Sequence, residues 1–183
     1  MATITQPFLK HYREVVVSQL QKQLGRKNIL SLPRPIKVTL NVGLGKAKED
    51  ERLAQVALQT LQRVSGQKPV LTMARKSIAA FKIREGMNVG AMVTLRGLKM
   101  WDMLEKLVVV TLPRVRDFHG VSRKAIDRQG NFSIGFREHL VLPEISADEV
   151  EKIHGFEITI TTTAKTADEA YVLLKGLGFP FID

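Results

Sequence analysis

Gly43-Leu44-Gly45 is the first place where this sequence could do chemistry, because a glycine turn between a strand and a helix can cradle a phosphate. A dinucleotide-binding turn needs Gly-x-Gly-x-x-Gly, and Lys48 occupies the third glycine position; no Gly-x-x-x-x-Gly-Lys-Ser/Thr run occurs. A tight turn with positive φ is the better reading. His11, His119, His139 and His154 have no second histidine or cysteine at ligand spacing, and each is expected as an ordinary surface or half-buried side chain. Asp102 and Glu105 share a helix face beside Lys106, which is common on solvated helices. Gly-x-Ser-x-Gly motifs and cysteines are absent. The sequence calls for no catalytic residue, no metal and no cofactor, so the expectation is a protein that is not an enzyme.

Two other groups of residues point to a polyanion. Residues 68–88 carry Lys68, Arg75, Lys76, Lys82 and Arg84 against Glu85 alone, with Phe81 and Ile83 between the charges and Gly86 as a hinge. Cations neutralise phosphates, while an exposed aromatic or apolar side chain can pack on a sugar or base. A mobile solvated loop would look similar; the length and charge bias favour an RNA-contacting one. The second group is a set of short hydrogen-bonding side chains on one face of several strands: Thr39, Asn41, Thr94, Ser133, Thr159 and Thr161, with Lys37 and Arg96 among them. Small side chains let a sugar-phosphate backbone approach and offer donors and acceptors. Threonine also suits any solvated strand face.

The elements that must position these groups follow from periodicity. Thr5-Gln6-Pro7 resembles a cap with a first-turn proline; Phe8, Tyr12, Val15, Val16, Leu20 and Leu24 then recur at helical spacing up to Gly25. Ile36, Val38, Leu40 and Val42 alternate with Lys37, Thr39 and Asn41 as a half-buried strand. Glu49, Asp50 and Glu51 suit the start of a helix with a core stripe of Leu53, Val56, Ala57, Leu61 and Val64, stopped by Gly66. Strands are expected around Val70–Thr72, over Val89–Leu95 with Gly90, Met92, Thr94 and Arg96 on the polar side, and over Phe132–Phe136. A helix is expected over 98–111 through Trp101, Leu104 and Val108, with Pro113 beyond its end. Ser146 and Glu149 form a capping box for a short helix. Phe156, Ile158, Ile160 and Thr162 alternate with threonines and Glu157, and Thr166 with Glu169 opens a last helix through Tyr171, Leu174 and Leu177. Intermingled helices and two-faced strands predict a single α+β domain over 1–183, an antiparallel sheet with helices packed on one face and the other face available to RNA.

Charge agrees. Lys and Arg total 28 against 18 acidic residues, a net charge of +10. Residues 1–136 carry 24 basic and 9 acidic side chains, whereas 137–183 carry 4 and 9, so a polyanion partner is expected on one side. No apolar run is long enough for a spanning helix, Met1–Lys10 lacks a secretory layout, and no membrane partner is expected. The chain reads as soluble and intracellular.

Val64-Ser65-Gly66-Gln67-Lys68-Pro69, continuing through Thr72-x-Ala74-Arg75-Lys76-Ser77, resembles the signature of large-subunit ribosomal protein five, the family that binds 5S rRNA in the central protuberance. Supporting blocks are Thr39–Gly45, Val93–Gly97, Pro113–Phe118, Gly130–Ser133 and Ile158–Lys165, in the family's order and covering roughly residues 8–182. The resemblance implies a structural constituent of the large subunit. Its 5S rRNA contacts would fall on Lys37, Thr39, Asn41, Gln67, Thr94, Arg96, Thr159 and Thr161, with Asn41, Gln67 and Thr94 in a buried hydrogen-bond network. The loop at about 73–88, with Arg75, Lys76, Ser77, Phe81, Lys82 and Arg84, would touch P-site transfer RNA. Arg114, Arg116, Asp117, Phe118 and His119 would face small-subunit ribosomal protein thirteen in an intersubunit bridge. Further implied partners are 23S rRNA and the neighbouring 5S-associated proteins, and the implied location is a ribosome of the cytoplasm or the plastid stroma. His119 stands where the family often has arginine, which leaves the charge of the bridge contact open; Lys46, often glutamate, adds to the basic surface. Two other readings stay open on the residues alone: a general RNA chaperone without a fixed target, and a nucleotide-dependent enzyme using Gly43-Leu44-Gly45 and Lys46.

Overall fold

Strand alternation becomes a five-stranded antiparallel sheet in the order β2-β3-β1-β5-β4. The strands are β1 Pro35–Gly43, β2 Val70–Met73, β3 Asn88–Leu95, β4 Phe132–Phe136 and β5 Phe156–Thr162. The structure, a computed structural model, describes residues 7–45, 51–145 and 153–182. Within them lie four helices, so the chain is α+β. Helix α1 runs Pro7–His11, widens to i→i+5 bonding over Tyr12–Val16 and resumes over Val17–Leu24. Helix α2 is Glu51–Ser65 and α4 is Ala167–Gly176. Helix α3 runs Gly97–Glu105, widens over Lys106–Thr111 and closes over Leu112–Arg114. The cap at Thr5 and Gln6, Glu49 and Asp50, Lys46, and the Ser146–Glu149 box lie outside the described residues.

The chain gathers into two compact units. One comprises Met1–Val38, Leu95–Ile134 and Thr159–Asp183; the other comprises Thr39–Thr94 and Gly135–Ile158. In the first, Val16, Leu20, Leu104, Leu107, Leu112, Phe132, Ile160, Leu173 and Leu174 are fully enclosed. Burying each such side chain contributes roughly 1.5–3 kcal/mol. Gly176 lets α4 approach α1, since a Cβ there would lie 3.0 Å from Val16 Cγ1. Gly25 ends α1 in the left-handed region at φ +63, as its position after the apolar stripe predicts. Thr166 caps α4 by accepting from the Glu169 amide, while the Glu169 carboxylate takes the Lys165 amide and the Arg26 guanidinium.

Two expectations fail here for one reason. Pro113 sits inside α3 rather than beyond it, and Leu107, not Val108, is the enclosed residue. In α1, Val15 is 40% exposed while Val16 and Val17 are buried. Both helices contain a wide turn, which inserts a residue into the 3.6-residue period and rotates the apolar stripe.

The second unit encloses Leu40, Val42, Leu44, Ala57, Leu61, Val64, Ala91, Val93 and Ile158. Gly66 stops α2 at φ +59. The expectation that Gly43 or Gly45 needs a positive φ is overturned: neither has one, and a Cβ on either would meet nothing within 4 Å. The turn is held instead by Leu44, 2% exposed, whose amide donates to the Val89 carbonyl at 2.9 Å. His139 and His154 are not ordinary surface or half-buried side chains either. They are 1% and 7% exposed and stack ring on ring, 4.0 Å between centroids and 6° from parallel.

Candidate nucleic-acid interface

Strand geometry sorts the expected RNA-contacting residues by face. On β1, Val38, Leu40 and Val42 are buried and Lys37, Thr39 and Asn41 are half-buried, as a pleat of period two requires. Ile36 shares the parity of the core positions but is 40% exposed at the strand's start. On β3, Val93 and Leu95 are buried and Thr94 is half-buried; Arg96 follows it, exposed. On β5, Thr159 and Thr161 are half-buried between Ile158 and Ile160, which are enclosed.

In the second unit the polar face is built around a missing side chain. Thr72 of β2 pairs with Gly90 of β3, so the two point the same way. A Cβ at Gly90 would lie 2.9 Å from Thr72 Oγ1 and 3.8 Å from Asn41 Oδ1. Glycine there brings Thr72 and Asn41 towards each other across β3, and the strand itself is buried at that point. Thr72 is therefore a polar-face residue that the sequence did not single out, because β2 is too short to display alternation. The same register places Val70, 65% exposed, beside Met92, so this face carries an apolar spot as well. Among the described residues, the side chains of Thr39, Asn41 and Thr94 make no hydrogen bond. Half-buried polar groups not spent on the protein itself are free to bond to water or to a polar partner.

The backbone at Gln67 is held by its neighbours. The buried Ser65 hydroxyl donates to the Leu61 carbonyl at 2.5 Å and accepts from the Gln67 amide at 3.2 Å; it also lies 3.2 Å from the Gln67 carbonyl. Together with left-handed Gly66 this fixes the turn that follows α2. Gln67, half-buried, and Lys68 then line an open cleft with Gln59, Gln62 and Arg63.

The basic segment is ordered, not a simple loop. Ala74 donates to the Met87 carbonyl at 2.8 Å, Gly86 returns a bond to Ala74, and Ile78 and Ile83 exchange both backbone bonds. The tip between them is a turn over Ala79–Phe81 closed by Lys82 at φ +51. Arg75, Lys76, Ser77, Phe81, Lys82 and Arg84 are all exposed, Phe81 at 62%. Ser77 has an internal duty, since its hydroxyl accepts the Glu85 amide at 3.0 Å. The result is a hairpin that presents cations and one aromatic ring with little further ordering required.

In the first unit, Ser133 and Thr159 spend their hydroxyls on each other at 3.0 Å. Arg26 and Arg123 pair with Glu169 and Asp168, and Arg123 lies over the Tyr171 ring, so these two cations are committed internally. Arg114 ends α3; Arg116, Asp117 and His119 are exposed and Phe118 is half-buried. Asp117 adopts φ +52, which folds this segment into a tight turn. Among the described residues no three His, Asp or Glu side chains are grouped to hold a metal ion, and no helix is long and apolar enough to cross a membrane.

Two family models match the sequence: "Ribosomal protein L5" over residues 28–84, and the model of the same ribosomal family's C-terminus over residues 88–181. The chain is 54% identical over 172 residues to the large ribosomal subunit protein uL5 of Halothermothrix orenii, covering 94% of this chain and 96% of that one. It is 51% identical to the uL5 protein of Symbiobacterium thermophilum over 94% and 96% of the two chains, and 49% identical to that of Colwellia psychrerythraea over 93% and 94%. Such proteins are structural, not enzymatic. Identity at this level, over nearly the whole length and across both family models, shows that the chain belongs to the L5 family of ribosomal proteins.

Proposed function

We propose that this chain binds 5S rRNA in the central protuberance through the polar face of its sheet, with residues 1–183 acting as one 5S rRNA-binding domain. Family membership makes it a structural constituent of the large ribosomal subunit, bound to the ribosome, with ribosomal RNA and ribosomal proteins as partners. The observation that carries the finer reading is the set of half-buried, uncommitted side chains Thr39, Asn41 and Thr94 around the gap at Gly90. Gln67 adds a side-chain carboxamide at the turn whose backbone Ser65 fixes. Lys37 and Arg96 supply further cations and Thr161 a further hydroxyl, while Thr159 offers only what its bond to Ser133 leaves over. The phosphates bring affinity, and the short polar groups set register by hydrogen bonding. RNA shape supplies most of the selectivity.

The basic hairpin contacts P-site transfer RNA, using Arg75, Lys76, Lys82 and Arg84 for phosphates and Phe81 for a sugar or base. The turn from Arg114 to His119 faces small-subunit ribosomal protein thirteen across a bridge. Remaining surfaces meet 23S rRNA and neighbouring 5S-associated proteins, on a ribosome of the cytoplasm or the plastid stroma. The test is a binding comparison of the purified protein with 5S rRNA and with an unrelated folded RNA of equal length at matched salt. Tighter binding to 5S rRNA, falling on the order of 10³-fold between 50 and 200 mM salt for roughly six phosphate contacts, is expected. Equal affinity for the two RNAs would refute the proposal in favour of a general RNA chaperone.

A further inference from the structure

We infer that the segment 179–182, which follows α4, is a strap that holds the turn 114–119 in the shape its bridge partner meets, with Phe181 and Ile182 as positioning residues. The inference rests on the bridge reading above and adds the residues that shape the turn, which that reading does not contain. The turn is short and anchored at both ends. At its start the Val115 amide donates to the carbonyl of Leu112, whose side chain is fully enclosed, at 3.2 Å. At its end the Val121 amide donates to the Pro180 carbonyl at 2.7 Å, and the Ile182 amide donates to the Val121 carbonyl at 3.0 Å. Strap and turn thus meet as a parallel bridge between Val121 and Phe181. Between the anchors Asp117 takes φ +52, and Arg116, Asp117 and His119 are exposed.

A glycine makes this close pairing possible. Gly120 stands at φ +114, and a Cβ there would lie 2.9 Å from Ile182 Cγ1 and 3.0 Å from the Pro180 carbonyl oxygen. The strap is fixed to the core by its aromatic rings. Phe179 is buried and meets Phe132 edge-on at 5.4 Å; Phe181 meets Phe132 edge-on at 6.2 Å and Tyr171 at 4.9 Å. Arg123, just past the turn, lies over the same Tyr171 ring and pairs with Asp168, so the chain after Val121 is tied to α4 as well. Packing by the two phenylalanines alone would need no bond to Val121. The two backbone bonds, and the glycine beside them, are what tie the strap to the turn. A turn held at both ends loses little further freedom when a partner binds, so the strap should be felt as affinity.

The experiment compares the full-length wild type with Ile182→Pro and Ile182→Ala, by amide hydrogen exchange over 115–121 and by affinity for purified small-subunit ribosomal protein thirteen. Ile182 is 51% exposed, so neither change opens the core. Ile182→Pro removes the amide that meets the Val121 carbonyl, whereas Ile182→Ala keeps it. The proline variant should exchange 115–121 faster and bind protein thirteen more weakly, each by roughly tenfold, while the alanine variant matches the wild type. Affinity for 5S rRNA and exchange in β1 and β5 should not change. Phe181→Ala, which frees the strap from Phe132 and Tyr171 instead, should act in the same direction. Wild-type exchange or wild-type affinity in Ile182→Pro overturns the inference and leaves the bridge reading intact. Equal effects of proline and alanine, or faster exchange spread over β1 and β5, make the strap a general stabiliser and overturn it too. A wild type that does not bind protein thirteen overturns the bridge reading and this inference with it, and so is distinguishable.

Discussion

Lowering the pH from 7.5 to 5.5 should destabilise the second unit through the stacked pair His139 and His154: the structure sets the direction and proton linkage bounds the size. The His154 amide lies 3.2 Å from His139 Nδ1; with Nδ1 as its acceptor, the proton of neutral His139 sits on Nε2. Nδ1 also lies 3.2 Å from the His154 carbonyl, but that oxygen already takes the His139 amide at 3.1 Å. His154 is the opposite tautomer, with Nδ1 donating to the Gly155 carbonyl at 3.2 Å and Nε2 facing the Thr60 hydroxyl at 3.4 Å. Protonating His139 would set its Nδ1–H against the His154 N–H, offset only in part by the His154 carbonyl, and a second charge would stack directly on the first. Burial holds both imidazoles below the usual histidine range, and for His154 the neighbouring His139 adds to it. Above the unfolded value of about 6.5 both states are neutral and nothing is gained or lost. Below it the unfolded chain takes up protons that the folded chain resists. Stability then falls by at most about 1.4 kcal/mol per pH unit for each histidine, or about 2.8 for the pair, and levels off once the folded pair titrates. Urea unfolding at a series of pH values measures this directly. His139→Gln keeps an acceptor for the His154 amide and removes one titrating group, so the slope between pH 6.5 and 5.5 should drop by up to half. An unchanged slope in that variant would refute the reasoning.

Gly130 stands at φ +79, where a Cβ would lie 2.7 Å from Ala164 Cβ. Gly130→Ala should cost about 2–4 kcal/mol in thermal unfolding, from left-handed strain and overpacking together, and a loss below about 1 kcal/mol would contradict that. Arg75→Glu with Lys76→Glu reverses two exposed charges on the ordered hairpin. It should spare 5S rRNA affinity at matched salt and weaken transfer RNA protection on reconstituted ribosomes; equal loss of 5S rRNA binding would show the two surfaces to be confused.

Where local pattern determines structure, the sequence was readable. The pleat of β1 and β5 follows from Val38, Leu40 and Val42 and from Ile158 and Ile160, because alternation is the direct imprint of a one-sided sheet. Gly25 and Gly66 marked helix ends because few other residues adopt the left-handed cap. The wide turns in α1 and α3 left no such imprint, and the buried stripe slipped by a residue at Val15 and Val108. The histidine pair was hidden because stacking joins residues fifteen apart in sequence. In the interface, Thr39, Asn41 and Thr94 were legible as a polar face. Thr72 and the cleft face of Gln59, Gln62 and Arg63 needed the register of β2 and the turn at Ser65.

The most direct test of the central claim is the affinity of Asn41→Ala and Thr94→Ala for 5S rRNA at one salt concentration, with Tm measured alongside. Neither side chain is hydrogen-bonded among the described residues, so the fold should tolerate both changes. Each should weaken binding by about 1–3 kcal/mol, through the partner group on the RNA left unpaired. Wild-type affinity in both variants, with Tm unchanged, would contradict the assignment of this strand face to RNA.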